Sequence, residues 1–129
     1  MRFIPTKFHA PLDYIVGVAL IGSPWIFQFS EHTAATIVPI VLGIGLIAYS
    51  LITDYELGVW KVAPMAVHNV IDVLAGTFLA LSPWLFGFSD ESANVWLPHV
   101  VVGLAAVFLG LTTVQRGFSY RRAEHPAAG

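Results

Sequence analysis

Charged residues are sparse and clustered along the chain, and they leave four long uncharged intervals. The intervals are 17, 21, 17 and 24 residues long, over positions 14–30, 33–53, 73–89 and 92–115. A helix rises about 1.5 Å per residue and must cross about 30 Å of hydrocarbon, so roughly 20 residues span a membrane. The first and third intervals reach that length if each helix begins three or four residues earlier. The pattern therefore predicts four transmembrane helices, over about residues 10–29, 33–54, 69–88 and 93–115.

The composition agrees with a membrane protein. Hydrophobic residues make up 57% of the chain and charged residues 11%, against about 25% charged residues in ordinary soluble domains. The net charge of -2 and the lack of a basic run give no reason to expect a nucleic-acid partner. The chain has no cysteine, which excludes disulfides, thiolate metal sites and cysteine nucleophiles. The lipid bilayer is thus the partner that the composition indicates.

The distribution of basic residues predicts the orientation. All six precede the first span, lie between the second and third, or follow the fourth: Arg2, Lys7, Lys61, Arg116, Arg121 and Arg122. With four spans these segments face one side, and the loops on the other side carry only the acidic Glu31, Asp90 and Glu91. The positive-inside rule places both termini in the cytoplasm, in a multi-pass protein of the cell (inner) membrane.

The two halves of the chain repeat each other. When the sequence is shifted by 59 residues, 15 of the 49 positions from 5 to 53 are identical without a gap, and the matches include Trp, His, Asp and three prolines. A cleaved signal peptide would have no reason to match a later span, so the first span is expected to remain. We expect an all-α protein of two parallel hairpin repeats, related by a pseudo-two-fold axis along the membrane normal. The division is a first hairpin at 1–57, a cytoplasmic linker at 58–63, a second hairpin at 64–116 and a cytoplasmic tail at 117–129.

One tripeptide recurs near the outer end of the first and third spans, as Ser23-Pro24-Trp25 and Ser82-Pro83-Trp84. Proline inside a helix frees the carbonyl four residues back, here those of Leu20 and Leu79, and the serine is one possible donor to it. Tryptophan suits the membrane interface. We interpret the motif as a kink with an aromatic anchor. The duplicated motif resembles the SPW repeat family of small prokaryotic membrane proteins, a resemblance that implies the repeated hairpin and no known activity.

The pairs His9-x-x-x-Asp13 and His68-x-x-x-Asp72 form the one constellation able to carry chemistry. Residues four apart share a helix face, and both pairs are predicted at one depth near the cytoplasmic boundary. If the halves face each other, His9, Asp13, His68 and Asp72 could bind Zn²⁺ or another divalent metal. Alternatively, His9 and His68 could ligate a haem iron from both sides, or the four groups could relay protons.

A purely structural interpretation competes with these sites. Asn69 as helix N-cap would make Asp72 the third residue of a capping box, and Pro11 at the first helical position would place Asp13 equivalently. The helix dipole then favours the carboxylates in the first turn. The histidines would simply pair with them.

The sequence contains no catalytic motif such as a Gly-rich phosphate loop, a nucleophile elbow or His-Glu-x-x-His. Our leading hypothesis is therefore a non-enzymatic accessory, assembly or structural subunit, acting as a homo-oligomer or with a membrane-protein partner. The alternative is a haem- or metal-binding membrane protein that uses the paired motifs. A weaker alternative is a small oligomeric transporter.

Overall fold

The structure is a computed structural model that describes residues 2–124. It is helical, with four long helices and a short fifth one: α1 (Thr6–Ile26), α2 (Thr33–Ile52), α3 (Met65–Leu85), α4 (Ala93–Thr112) and α5 (Phe118–Glu124). The predicted all-α class is confirmed.

Three of the long helices, α2, α3 and α4, are long and apolar enough to cross a membrane. Helix α1 has 21 residues, but it is more polar, with Lys7, His9 and Asp13 in its first half. The membrane class is thus supported by three helices, and the fourth span stays a prediction.

Both α1 and α3 begin about one turn earlier than the sequence predicts. Pro5 and Pro64 occupy the N-cap positions with extended backbone. The expectation that Pro11 is the first helical residue and Asn69 the N-cap is wrong, because both lie inside their helices. Asp13 and Asp72 accordingly lie in the second turn or beyond, and neither helix has an acidic residue in its first turn.

The helices form two hairpins, α1 with α2 and α3 with α4, and glycine sets the distance within each. A Cβ atom on Gly43 would lie 2.6 Å from the carbonyl oxygen of Gly17, and one on Gly103 would lie 2.5 Å from that of Gly76. Contacts this close require glycine, which lets two helix backbones touch without the help of a hydrophobic effect.

The N-terminal segment, the linker and the chain after α4 meet at one end of the bundle. Ile4 bridges to Thr113, Thr53 bridges to Ala63, and the amide of Phe118 donates to the carbonyl of Asp54 at 3.0 Å. The segments that carry the basic residues are therefore neighbours in space. We refer to this as the linker end of the bundle and to the other as the loop end.

The polarity of the interior is unusual for a soluble domain. Among the described residues, twelve buried side chains are polar or charged and eleven are hydrophobic. Large apolar side chains instead face outward, for example Ile15, Val18, Leu74 and Leu104, each 58–65% exposed. Apolar groups outside and polar groups inside are what a lipid solvent favours.

The serine of each repeated tripeptide donates a hydrogen bond to the backbone of its own helix. The Ser23 hydroxyl donates to the Leu20 carbonyl at 2.8 Å, and the Ser82 hydroxyl donates to the Leu79 carbonyl at 2.6 Å. These are the carbonyls that Pro24 and Pro83 leave without an amide donor. The serine therefore lets proline stay inside a helix at low cost.

Candidate metal centre

Four ionisable side chains converge at the linker end, between α1 and α3. The ring nitrogens and carboxylate oxygens of His9, Asp13, His68 and Asp72 include one atom from each residue, all within 4.8 Å of one another. Both imidazoles are fully buried, and the carboxylates are 5% and 8% exposed. The two His-x-x-x-Asp pairs of the sequence thus form one cluster, which we call the His/Asp centre.

Each imidazole contacts both carboxylates through Nε2. His9 Nε2 lies 3.0 Å from Asp13 Oδ1 and 2.9 Å from Asp72 Oδ2. His68 Nε2 lies 2.9 Å from Asp13 Oδ2 and 3.4 Å from Asp72 Oδ2. The cross-contacts between α1 and α3 are as short as those within each helix, so the centre joins the two hairpins.

The angles at these nitrogen–oxygen contacts differ from those of well-formed hydrogen bonds. His9 Nε2, His68 Nε2 and Asp72 Oδ2 are buried, yet none has a hydrogen-bond partner of acceptable geometry. A tetrahedral ion with ligands at about 2.0–2.1 Å would separate neighbouring ligand atoms by about 3.3–3.4 Å. The four nitrogen–oxygen distances, 2.9–3.4 Å, are close to that separation, and one ligand atom from each residue lies within 4.8 Å of the others.

The outer nitrogen of each imidazole contacts a threonine. His9 Nδ1 lies 2.6 Å from the hydroxyl oxygen of Thr113, and His68 Nδ1 lies 2.6 Å from that of Thr53. The Thr53 hydroxyl donates its own proton to the carbonyl of Tyr49 at 2.8 Å, so it accepts from Nδ1–H of His68. In the neutral ring this leaves the lone pair on Nε2, which faces the centre. Such outer contacts orient metal-ligating histidines in known metal sites.

Tyr55 closes the centre from the linker side. Its hydroxyl donates to Asp13 Oδ2 at 2.8 Å, and its fully buried ring lies 5.4 Å from the ring of His68 and 6.4 Å from that of His9. Burial, and then the Asp13 carboxylate, raise the pKa of Tyr55 above its ordinary value. Tyr55 is therefore a permanent hydrogen-bond donor to the carboxylate.

The chain is similar to one family of proteins over most of its length. The model of that family, the SPW repeat domain, matches residues 7–113. The chain belongs to the SPW repeat family. No curated protein and no solved structure matches the chain. The matched segment contains the whole His/Asp centre of this SPW repeat protein, together with Thr53, Tyr55 and Thr113.

The capping explanation for the two aspartates is wrong for this SPW repeat protein. Helices α1 and α3 begin seven residues before Asp13 and Asp72, so neither carboxylate caps a helix. The amide of Asn69 instead donates to the carbonyl of Thr113 at 3.1 Å. The carboxylates face the two imidazoles.

The haem alternative also conflicts with the geometry. The two imidazole rings are 5.4 Å apart between centroids, and the carboxylates of Asp13 and Asp72 stand beside both Nε2 atoms. A porphyrin between two axial histidines would need the space that the carboxylates occupy. Binding of a haem by His9 and His68 stays a prediction, and it would require both carboxylates to move.

Sequence reasoning missed Thr113 and Tyr55. An ungapped shift of 59 matches Thr53 with Thr112, but the threonine that contacts the other histidine is Thr113. The equivalent spacing becomes 60 after the loop at 86–92, because that loop is one residue longer than the loop at 27–32. A gapped alignment would also have matched Gly43 with Gly103, a signal that an ungapped shift hides.

His99 is a buried histidine outside the His/Asp centre. It is 2% exposed at the loop end, and its Nε2–H donates to the carbonyl of Ala35 at 2.9 Å. Its ring packs between Phe29 and Phe88, with centroid distances of 5.2 and 4.8 Å. His99 thus links the two hairpins at the end opposite the His/Asp centre.

Proposed function

We propose that this SPW repeat protein is a four-span membrane protein whose two hairpins together bind one divalent transition-metal ion. The observation that carries the proposal is the convergence of two imidazoles and two carboxylates, from both halves of the chain, in a buried centre. Buried ionisable groups near a membrane are costly and are retained where they have a role.

The assignment of α1 as the fourth span follows from its position. Its 21 residues match α3 in length, and both its ends are shifted from those of α3 by 59 residues. Its N-terminal flank is joined to the end of α4 through Ile4 and Thr113. Since α1 runs beside α2 in a hairpin, it crosses the same thickness of lipid. The repeat and its pseudo-two-fold axis form part of this proposal.

The proposed topology places both termini in the cytoplasm of the cell that makes the protein. It is supported by the six basic residues, all in segments that meet at the linker end. The chain has no cysteine, so single cysteines can be introduced without background. In intact cells, a membrane-impermeant maleimide should label Glu31→Cys and should leave Arg122→Cys unlabelled until the cells are opened. Labelling of both variants in intact cells would contradict the topology.

The donor set favours a transition metal over calcium or magnesium. Imidazole suits zinc and iron, whereas calcium and magnesium prefer sites built entirely from oxygen. Two carboxylates also balance the charge of a divalent ion, so the occupied centre is neutral, which suits burial. His9, Asp13, His68 and Asp72 are the proposed ligands.

The metal proposal is tested by titration of purified protein in mild detergent. Elemental analysis after loading with Zn²⁺ should give one ion per chain, and Co²⁺ should give the visible absorption of a tetrahedral site. The double variant Asp13→Asn/Asp72→Asn keeps the shape of both side chains and should bind no ion. The control Asp54→Asn changes a carboxylate that contacts only the α5 region and should bind as wild type does. An unaltered protein that takes up no ion would overturn the proposal.

A non-enzymatic accessory or assembly subunit is the second candidate function. One observation favours it: three of the four nitrogen–oxygen distances in the centre, 2.9–3.0 Å, are also those of charge-assisted hydrogen bonds. In that case the centre holds the hairpins together without an ion, and the apolar outer surface packs against lipid, a second copy or a membrane-protein partner. A folded protein without metal affinity would support this candidate.

A further inference from the structure

The interface between the two hairpins, which we call the seam, contains a series of cavities that begins at the His/Asp centre. The cavity nearest the centre has a volume of about 40 Å³ and touches both Asp13 and Asp72. A second, of about 50 Å³, shares Asp72 and Ala106 with it. The series of cavities thus starts at the two carboxylates.

The series continues toward the loop end and opens to the surface of the bundle. A cavity of about 150 Å³ adjoins the second one at Leu20 and Val102 and ends at His99. A groove of about 320 Å³, lined by Phe27, Leu97 and Pro98, adjoins it in turn. Val102 lines all four spaces. The spaces are therefore adjacent from a lipid-facing groove to the carboxylates.

The lining selects for an apolar occupant. Apart from the two aspartates at its inner end, and Ser23, His99 and Asn94 near the loop end, the lining side chains are apolar. A water molecule needs two to four polar partners, and apolar cavities of about 150 Å³ stay dry and take up benzene or xenon. An ion or a polar solute would lose its hydration in such a passage. The weaker hypothesis of a solute transporter therefore gains no support from the seam.

The volumes limit the size of the occupant. If about 150 Å³ accommodates the six carbon atoms of benzene, the inner cavities of 40 and 50 Å³ accommodate two heavy atoms. These cavities touch the ligand carboxylates themselves. A molecule in the cavity of about 40 Å³ would therefore lie beside an ion held by Asp13 and Asp72.

We propose that the seam admits a lipid-soluble diatomic molecule of the dioxygen class to an open face of the metal centre. The proposal rests on the metal-binding function proposed above and names the class of ligand that the bound ion takes. Dioxygen concentrates in lipid, carries no charge and is small enough for the inner cavities. Ferrous ion in sites of imidazole and carboxylate ligands keeps open coordination positions, so a diatomic molecule can bind to it as a further ligand.

Xenon tests the passage without any metal. In the metal-free protein, xenon nuclear magnetic resonance should reveal saturable binding above the partition into detergent. The variant Val102→Phe fills the shared wall of the cavities and should abolish this binding, whereas Leu104→Phe adds the same group on the lipid-facing side of α4 and should leave it intact. If Val102→Phe fails to fold, Val102→Met, which adds a more flexible side chain to the same shared wall, takes its place. Equal xenon binding in the folded blocking and control variants would overturn the proposal.

Nitric oxide tests the coordination position. In protein loaded with Fe²⁺, nitric oxide should produce the electron paramagnetic resonance signal of an iron–nitrosyl complex. The binding rate should fall at least tenfold in the blocking variant and should not change in Leu104→Phe, while the charged ligand azide should not bind. Rapid azide binding, or equal rates of nitric oxide binding in the two variants, would overturn the inference. Failure of the metal proposal is distinguishable, because the protein would then take up no Fe²⁺ while the xenon result would stand.

Discussion

Within each hairpin the two helices meet through glycine, whereas between the hairpins they meet through side chains, which are ionisable at the His/Asp centre and apolar at Leu20, Val38 and Leu79. At Gly76 and Gly103 the backbones of α3 and α4 touch, and no side chain intervenes. Across the seam, α1 and α3 are joined at one end by the His/Asp centre, and cavities separate the helices further along. The first interface brings the backbones into direct contact at glycine, and the second keeps cavities between its side chains.

The difference follows from the solvent. In lipid, apolar side chains gain little by leaving the solvent, so helices associate through close backbone packing or through polar contacts. Glycine packing tolerates no change of shape and suits a permanent pair. The seam combines the His/Asp centre with an apolar cluster that leaves cavities beside it. The seam is therefore where a ligand and a conformational response are expected, and the hairpins are the rigid units.

The largest loss of stability is expected when one imidazole is removed from the His/Asp centre. In metal-free protein, His68→Ala leaves Asp13 and Asp72 facing a single imidazole, and removal of one partner from a buried charged pair costs about 3–5 kcal/mol. The free energy of unfolding, measured by titration with a denaturing detergent, should fall by about that amount. The change His32→Ala affects a histidine that is 38% exposed in the loop between α1 and α2, and it should change the free energy of unfolding by less than about 0.5 kcal/mol. A loss below about 1 kcal/mol for His68→Ala would mean that the centre does not hold the seam.

The next largest effect is expected inside a hairpin. A Cβ atom on Gly103 would lie 2.5 Å from the amide nitrogen of Ala80, so Gly103→Val must push α3 and α4 apart. Overpacking of this kind costs about 1–3 kcal/mol. Gly45→Ala is the matched control, because nothing lies within 4 Å of its Cβ position. If unfolding measurements gave the same stability for both variants, the tight packing inside the hairpins would be refuted.

An effect of similar size distinguishes two adjacent threonines. Thr113→Val removes the hydroxyl that contacts His9 Nδ1 and leaves a buried ring nitrogen unpaired, at a cost of about 1–3 kcal/mol. Thr112→Val removes a hydroxyl on the exposed side of α4 that bonds only its own helix. The unfolding free energy should change little in that variant. If Thr112→Val lowered the free energy of unfolding more than Thr113→Val did, Thr112 would be the equivalent of Thr53. The contact between Thr113 and His9 would then be contradicted.

The pairs in the centre were predictable because their determinants are local and repeated. A spacing of four places His9 above Asp13 on one helix face, and the repeat supplies the same pair in the second half. The serine that bonds the carbonyl freed by Pro24 is local as well. These features depend on a single helix, so the sequence contains what is needed to infer them.

The remaining parts of the centre depend on contacts between distant segments. Tyr55 lies in the linker, where no periodicity marks its side chain as buried. The helix starts at Thr6 and Met65 are set partly by packing at the linker end, where Met65 is buried against Tyr55 and Ala10. The local sequence signals alone favoured a start of α1 nearer Pro11. Local preference decides such boundaries only where tertiary contacts do not.

The smallest effect concerns the contact between the linker and α5. Burial raises the pKa of Glu56, but hydrogen bonds from the Arg121 guanidinium and the Thr6 hydroxyl outweigh it, and the net result is a pKa below the ordinary 4.5. A lowered pKa means that the stabilisation is complete above 4.5 and is lost as the pH falls through the folded value. Because the side chains of Glu56 and Arg121 are partly exposed, their contact contributes less than about 1 kcal/mol to stability.

Limited proteolysis after Arg116 tests this pH dependence, with a protease active over the whole range. Cleavage should be slow and constant from pH 7 to about pH 5 and should accelerate at lower pH.

Glu56→Gln provides the decisive comparison for this contact. The neutral side chain cannot lose a charge, so cleavage after Arg116 should be somewhat faster than in the unaltered protein at pH 7 and should show no further rise below pH 5. Glu124→Gln changes a carboxylate of the same tail that lies 4.0 Å from Arg116 and does not contact the linker, and it should retain the rise. If Glu56→Gln kept the acid-dependent rise, Glu56 would not be what holds α5 to the linker. The attachment of the tail would then depend on the hydrogen bonds between Asp54 and Ser119, which connect the same two segments.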